Sequence, residues 1–203
     1  MSDCGGGKEQ ADKLEKKTLI ALLSINGFMF VAELTFGWLA QSTGLIADSL
    51  DMLADATVYG FSLYVVGKGI LHQAKAAQVS GLVQIMLGLG VLFEVLRRLL
   101  YGSEPQSTLI VLAGAVALLA NIICLVLVSK HKEGGVHMRA SWIFSINDLI
   151  ANLGVIISGV LVAIIGNRFP DLIVGTIISL IVVRGGIKIL KDAKETRESA
   201  TCD

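Results

Sequence analysis

Six long apolar stretches, separated by short polar segments, dominate the pattern of the chain. They run over residues 18–40, 45–67, 77–100, 107–129, 139–165 and 170–190. Each is longer than the ~18 residues that mark a membrane-spanning helix. The connections between them, such as "QSTG" and "GNRFPD", hold residues that favour turns. The pattern therefore predicts an all-α polytopic membrane protein with six transmembrane helices, in which consecutive helices run antiparallel.

The composition agrees with a membrane location. Of the 203 residues 54% are hydrophobic, and only 17% are charged, whereas soluble domains carry about a quarter charged residues. The net charge is zero, which argues against a nucleic-acid partner and leaves membrane lipid as the expected surroundings. The three cysteines form no CxxC motif, which argues against a disulfide framework or a zinc ribbon.

The basic residues are distributed unevenly between the two sides of the predicted bundle. Fourteen of the 17 Lys and Arg residues fall in the N-terminal tail, the second and fourth connections and the end of the last helix. The other three are Arg97, Arg98 and Arg168. Because basic residues accumulate on the cytoplasmic side, both termini are expected in the cytoplasm. We expect a cytoplasmic tail over 1–17, a transport domain over 18–190 and a short tail over 191–203. The compact size and the lack of a signal peptide favour a bacterial inner membrane.

Acidic residues stand inside or near the apolar stretches, where an ionised side chain is costly. They are Glu33, Asp48, Asp51, Asp55, Glu94 and Asp148. An acid at the centre of a bilayer costs about 2.5–3.5 kcal/mol on insertion scales. Such residues face the interior of a helix bundle or a water-filled cavity, and they usually serve a function.

The spacing of the acids on the second helix predicts one acidic stripe. Asp51 and Asp55 are one helical turn apart, and Asp48 is nearly in line with Asp55 two turns away. Carboxylates this close repel one another, so they need protons or a shared cation. A divalent cation held by oxygen ligands from two helices meets that need.

The fifth helix supplies a matching polar face in "SWIFSINDLIANLGVI". Asp148 and Asn152 are four residues apart and share a face, with Ser145 close to it. Asn147 points about 100° away. The predicted metal site consists of Asp51, Asp55 and Asp148 with one amide oxygen, for which Asn152 is the first candidate.

Several polar residues have two interpretations from sequence. Asp48 either holds the start of the second helix or ligates the metal. Glu33 and Glu94 are either protonated, hydrogen-bonded packing residues or functional acids, and Glu33 is a candidate for the metal pathway. Asn26 is either a hydrogen-bonding contact between helices or a pathway residue. Ser145 and Asn147 are further candidates for ligation.

These motifs resemble those of the cation diffusion facilitators, a family of metal-ion/proton antiporters. "ELTFGWLAQSTGLIADSLDMLADA" is similar to the family's first two helices, which end in a [His/Asp]-x-x-x-Asp pair that here is Asp51 and Asp55. "FEVLRRLLYGSEP", "HMRASWIFSINDLIANLGVI" and "FPDLIVGTIISLIVV" resemble its third, fifth and sixth helices. The resemblance implies a six-helix cation-efflux transmembrane domain that exports divalent transition metals against protons.

The chain departs from the family pattern in two places. The first position of the [His/Asp]-x-x-x-Asp pair on the fifth helix is Phe144, which cannot ligate, so Asn152, Asn147 or a water is expected to replace it. Most members also continue into a cytoplasmic metal-binding and dimerising domain, whereas this chain ends at Asp203. A homodimer is therefore expected to form through the membrane helices.

The expected function is efflux of a divalent transition metal from the cytoplasm by proton antiport. The metal is a transported ion, and no tightly bound cofactor is expected. Oxygen ligands favour Mn²⁺ or Fe²⁺, whereas the family resemblance implies Zn²⁺ first, with Co²⁺ and Cd²⁺ as related substrates. The alternatives are a passive cation channel and a non-transporting membrane interaction protein whose acids pair with buried cations. The sequence holds no membrane-embedded Ser/His or His/Glu set, so enzymatic activity is not expected.

Overall fold

The described part of the chain folds into six α-helices. A computed structural model describes the backbone over residues 4–65, 70–129 and 136–199 and the side chains over 16–65, 71–129 and 146–198. The helices are α1 Cys4–Leu39, α2 Thr43–Val65, α3 Ile70–Tyr101, α4 Ser107–Ser129, α5 Val136–Ile165 and α6 Phe169–Ser199. The described residues contain no strand. The predicted all-α, six-helix fold class is confirmed.

The helices match the predicted stretches, although several extend beyond them. α4 has the predicted bounds, whereas α1, α3 and α6 are much longer than their apolar stretches. The extra turns are polar, as in "CGGGKEQADKLEKK" at the start of α1. An apolar count finds only the part of a helix that lies in lipid, while backbone hydrogen bonding continues the helix into the aqueous phase.

Five of the six helices are long and apolar enough to cross a membrane, and α2 is the exception within the described residues. α2 carries three aspartates along its 23 residues. It contacts all five other helices, and over half of its side chains are buried. A helix surrounded by protein can carry acids because it presents little surface to lipid.

The other helices pack around α2 in antiparallel pairs. α1 packs along α2, α4 along α5, and α3 along α6. The α3–α6 contact depends on glycine, because a Cβ at Gly81 would lie 2.9 Å from the carbonyl oxygen of Gly186, and one at Gly88 would lie 2.6 Å from Cγ2 of Val183. Small residues allow this close approach between membrane helices.

The bundle has two ends that are used below to locate residues. The end where α1 begins and α6 finishes is called the terminal end, and the end where α1 turns into α2 is called the turn end. The α1–α2 turn is tight, with Gln41 in a left-handed conformation at φ 49°. One apolar cluster near the turn end includes Leu45, Ile110 and Val155.

A second apolar cluster lies near the terminal end and includes Leu19, Tyr59 and Val128. Between these two clusters lie the aspartates of α2, at positions 48, 51 and 55. Large apolar side chains on the outside of the bundle are exposed, among them Phe28, Phe93 and Ile164. This distribution, with a polar centre and an apolar surface, is that of an integral membrane protein.

Candidate functional site: a buried column of acids

The start of α2 is fixed by an acid from α6. The carboxylate of Asp171, in the first turn of α6, accepts hydrogen bonds from the hydroxyl of Ser42 at 2.5 Å, the backbone N–H of Thr43 at 2.5 Å and that of Gly44 at 3.1 Å. Asp171, Ser42 and Thr43 are all 0% exposed. Asp171 therefore satisfies backbone donors that the first turn of a helix leaves without partners.

This contact sets the position of α2 relative to α6. The two helices approach so closely that a Cβ at Gly175 would lie 2.9 Å from the side chain of Thr43. From its position in the sequence, Asp48 was one candidate to hold the start of α2. In the structure, Asp171 holds it together with Ser42. The hydroxyl of Ser42 also accepts a hydrogen bond from the N–H of Leu45.

The acids of α2 face the polar side of α5 and form what we call the acid column. Because the two helices run antiparallel, their polar residues meet in two levels about 6–10 Å apart along the helix axes, from the rise of 1.5 Å per residue. Near the terminal end Asp55 lies against Asp148, and near the turn end Asp48 lies against Asn152. Asp51 lies between the two levels.

At the terminal-end level, the carboxyl groups of Asp55 and Asp148 lie close together. Both are buried, at 4% and 9% exposed. The hydroxyl of Tyr59 donates to Oδ2 of Asp55 at 3.4 Å. Asp51 is only partly buried and lies near enough for its charge to act on Asp55 and Asp148.

At the turn-end level, Asn152 connects the two helices. Its Nδ2 donates to Oδ1 of Asp48 at 3.3 Å and to the backbone oxygen of Asp148 at 2.8 Å. Glu33 of α1 reaches the same place, where its carboxyl group lies close to that of Asp48. Glu33, Asp48 and Asn152 are at most 2% exposed.

The column holds five acids with no cationic partner within the described residues. They are Glu33, Asp48, Asp51, Asp55 and Asp148, and their hydrogen bonds come from Tyr59 and Asn152. Carboxylates so close together in a poorly solvated interior cannot all be ionised unless a cation lies among them. The column must therefore contain protons or metal ions.

Glu94 is different, because it has cationic partners. Its carboxylate forms an ion pair with Arg97 at 2.7 Å and one with Arg98 at 2.6 Å. These contacts at i, i+3 and i, i+4 on α3 are ordinary helix pairs. Glu94 therefore has a structural role, but as the partner of two arginines and not as the protonated packing residue that the sequence suggested.

The remaining candidates lie in different places. Asn147 is exposed, away from the column. The side chains of Ser145 and Phe144 lie outside the described residues. Asn26 is 2% exposed and its Nδ2 donates to the backbone oxygen of Leu22, while its Oδ1 has no hydrogen-bond partner.

Sequence reasoning missed the position of Cys124. Its thiol is buried and accepts a hydrogen bond from Nδ2 of Asn26 at 3.9 Å. It also lies near the carboxyl groups of Asp148 and Asp55. The apolar sequence around Cys124 gave no signal of this, because α4 is hydrophobic on all sides.

The carboxyl groups of the column need further oxygen ligands, such as amide oxygens, to bind a metal ion. Among the described side chains, no three His, Cys, Asp or Glu groups are close enough together to hold a metal ion by themselves. The acids instead occur as two close pairs, with amide oxygens nearby. Carboxylate and amide oxygens together are ligands for divalent cations.

Comparison with known proteins identifies one matching family and several relatives. The model of the cation efflux transmembrane domain family matches residues 19–72 and 75–196. A cadmium, cobalt and zinc/H⁺-K⁺ antiporter of Bacillus velezensis is 23% identical over 193 residues, covering 88% of this chain and 61% of the relative. The zinc transporter ZitB of Yersinia pseudotuberculosis is 26% identical over 195 residues, covering 90% of this chain and 62% of the relative.

A human relative is also similar. The proton-coupled zinc antiporter SLC30A8 of Homo sapiens is 26% identical over 220 residues, covering 95% of this chain and 60% of the relative. The chain thus spans about three fifths of the length of the relatives that it matches.

Proposed function

Because this chain belongs to the cation efflux transmembrane domain family, we propose that it exports a divalent transition-metal cation from the cytoplasm in exchange for protons. The observation that carries the proposal is the buried column of five acids without a cationic partner among the described residues. An integral membrane protein keeps such a column at a cost, and a transported cation explains why.

The proposed metal site lies where α2 and α5 meet. Asp51, Asp55 and Asp148 supply the carboxylates, and Asn152 supplies an amide oxygen through Oδ1, which has no hydrogen-bond partner. Glu33, Asp48 and Asn26 line the pathway. Asn147 contributes nothing to this site in the observed arrangement, because its side chain is exposed.

The coupling to protons follows from competition for the same oxygen atoms. Metal ligands must be deprotonated, so an arriving cation displaces protons from the carboxyl groups. When the cation leaves, the carboxylates repel one another until protons return. If the column opens to one side of the membrane at a time, metal export and proton entry are coupled. This activity is transport, with no chemical conversion of a substrate.

The relatives guide the choice of metal. Their names include zinc, cadmium and cobalt, and zinc is the first substrate that we propose. The oxygen ligands of the column favour harder ions such as Mn²⁺ and Fe²⁺, so these belong in the same assay.

We also propose that both termini face the cytoplasm of a bacterial inner membrane and that two copies associate through their membrane helices.

The test is metal uptake by proteoliposomes with the purified protein, an internal metal-sensitive dye and an imposed pH gradient. Asp55→Asn and Asp148→Asn should reduce uptake about tenfold or more, since loss of a group that supports a metal site costs about 10–100-fold. Asp192→Asn, which changes an exposed acid of α6, is the matched control and should transport normally.

Two outcomes would contradict the proposal. Normal uptake by both column variants would remove the acids from the transport pathway. Uptake that does not respond to the pH gradient would indicate a passive cation channel instead of an antiporter.

A further inference from the structure

The turn-end level of the acid column contains several buried oxygen atoms that have no hydrogen-bond partner among the described residues. It brings together Glu33 of α1, Asp48 of α2 and Asn152 of α5, all at most 2% exposed. Within the described residues, four of their oxygen atoms have no hydrogen-bond partner. These atoms are Oε1 and Oε2 of Glu33, Oδ2 of Asp48 and Oδ1 of Asn152. Buried polar atoms without partners are uncommon in folded proteins, and a bound ion is one of the explanations for them.

Proximity makes these atoms a group. The carboxyl groups of Glu33 and Asp48 lie close enough to influence each other, and no cation lies between them among the described residues. Nδ2 of Asn152 donates to Asp48 at 3.3 Å, which fixes the amide beside the two acids. Three helices therefore contribute one oxygen-bearing side chain each to one buried place.

A shared proton explains only part of this arrangement. A proton between Glu33 and Asp48 joins one oxygen atom of each carboxyl group, and it leaves Oδ1 of Asn152 without a donor. A divalent cation contacts several oxygen atoms at once, and its two charges are balanced by two carboxylates. The number of unpartnered atoms and the charge both fit the cation better.

We propose that Glu33, Asp48 and Asn152 form a second divalent-cation site, on the turn-end side of Asp55 and Asp148. When both sites are filled, Oδ1 of Asn152 belongs to the turn-end ion, and Asp51, Asp55 and Asp148 supply the protein ligands of the other ion. This inference rests on the proposed function, since it gives the exported cation a second position in the column. Asn152 and Asp148 are one turn apart on α5, about 6 Å along its axis. The two sites are thus neighbours, and the partly buried Asp51 lies between them.

The experiment measures Mn²⁺ binding to the purified protein in lipid nanodiscs by equilibrium dialysis and by electron paramagnetic resonance. The unaltered protein should bind two Mn²⁺ per chain, and their closeness, about 6–10 Å from the helix rise, should broaden the spectrum by dipolar coupling. Glu33→Gln should bind one Mn²⁺ per chain and give narrow lines. Asp48→Asn should behave like Glu33→Gln.

Controls separate loss of the site from loss of the fold. Asp192→Asn changes an exposed acid of α6, and it should retain two Mn²⁺. Thermal unfolding of Glu33→Gln should resemble that of the unaltered protein, because an amide can donate to Asp48. Asp148→Asn should lose the terminal-end ion and keep the turn-end ion.

Binding of one Mn²⁺ by the unaltered protein would overturn the proposal, as would equal stoichiometry in the unaltered protein and both turn-end variants. Transport by the same preparations is measured separately with the pH gradient. Absence of uptake with two bound Mn²⁺ would refute the proposed function and leave the second site standing. Coupled uptake with one bound Mn²⁺ would support the proposed function and refute the second site.

Discussion

Replacement of Asp171 by alanine should destabilise the protein strongly, although Asp171 lies outside the acid column. The variant removes the acceptor for the N–H groups of Thr43 and Gly44 and for the hydroxyl of Ser42. A buried donor left without a partner costs about 1–3 kcal/mol. The hydroxyl can turn to another acceptor, but the two N–H groups cannot, so the expected loss is about 2–6 kcal/mol.

The assay is reversible unfolding in mixed micelles titrated with dodecyl sulfate and followed by circular dichroism. Asp171→Asn keeps one oxygen acceptor and should lose about 1–3 kcal/mol. Asp192→Ala, which changes an exposed acid of the same helix, is the control and should remain within about 0.5 kcal/mol of the unaltered protein. If Asp171→Ala and this control have the same free energy of unfolding, the inference that Asp171 secures the start of α2 is wrong.

Two further predictions concern α3. Gly88→Ala should destabilise the protein by about 1–3 kcal/mol, because the added methyl group overpacks against α6. Gly90→Ala, with nothing within 4 Å of the added methyl group, should instead raise helix stability by up to about 1 kcal/mol. The same unfolding assay measures both variants, and equal effects would contradict this prediction. Glu94→Gln should destabilise the protein by about 1–3 kcal/mol, because Arg98 is 5% exposed and loses its carboxylate. Arg97→Gln should change stability little since Arg97 is exposed, and the reverse order would refute the assignment.

Sequence spacing was sufficient to predict the elements and the faces that carry the acids. Apolar length locates a membrane helix because lipid sets it, so α4 begins and ends as expected. Helix periodicity places Asp51 and Asp55 on one side of α2. Both arguments concern a single helix, and a single helix is what sequence periodicity describes.

The contacts between helices could not be predicted in this way. Asn152 was expected to share a site with Asp51, Asp55 and Asp148, and the spacing gave no sign that its Nδ2 also donates to Asp48. Which residues meet depends on how far α5 is shifted along α2, and that shift is set by packing at many distant positions. The same holds for Asp171, whose partners lie 127–129 residues earlier in the chain.

The burial of Glu33 shows why local pattern alone misjudges a membrane acid. By sequence, Glu94 is followed by Arg97 and Arg98 at helical spacing, whereas Glu33 has no other charged residue within a helical turn. In the fold, Glu94 lies beside Arg97 and Arg98 on its own helix, whereas Glu33 meets another acid, Asp48. The partner, more than the depth of burial, separates a structural acid from a candidate functional one.

The pairing of the column acids also bears on how a cation would move. Glu33 with Asp48 and Asp55 with Asp148 are two close pairs, and each pair balances the charge of one divalent ion. Asp51 lies between the pairs, and its charge acts on Asp48 as well as on Asp55 and Asp148. An ion that leaves one pair can therefore keep Asp51 as a ligand until it reaches the other. That route avoids full exposure of a doubly charged ion to the apolar interior, which is the largest cost that a membrane transporter must avoid.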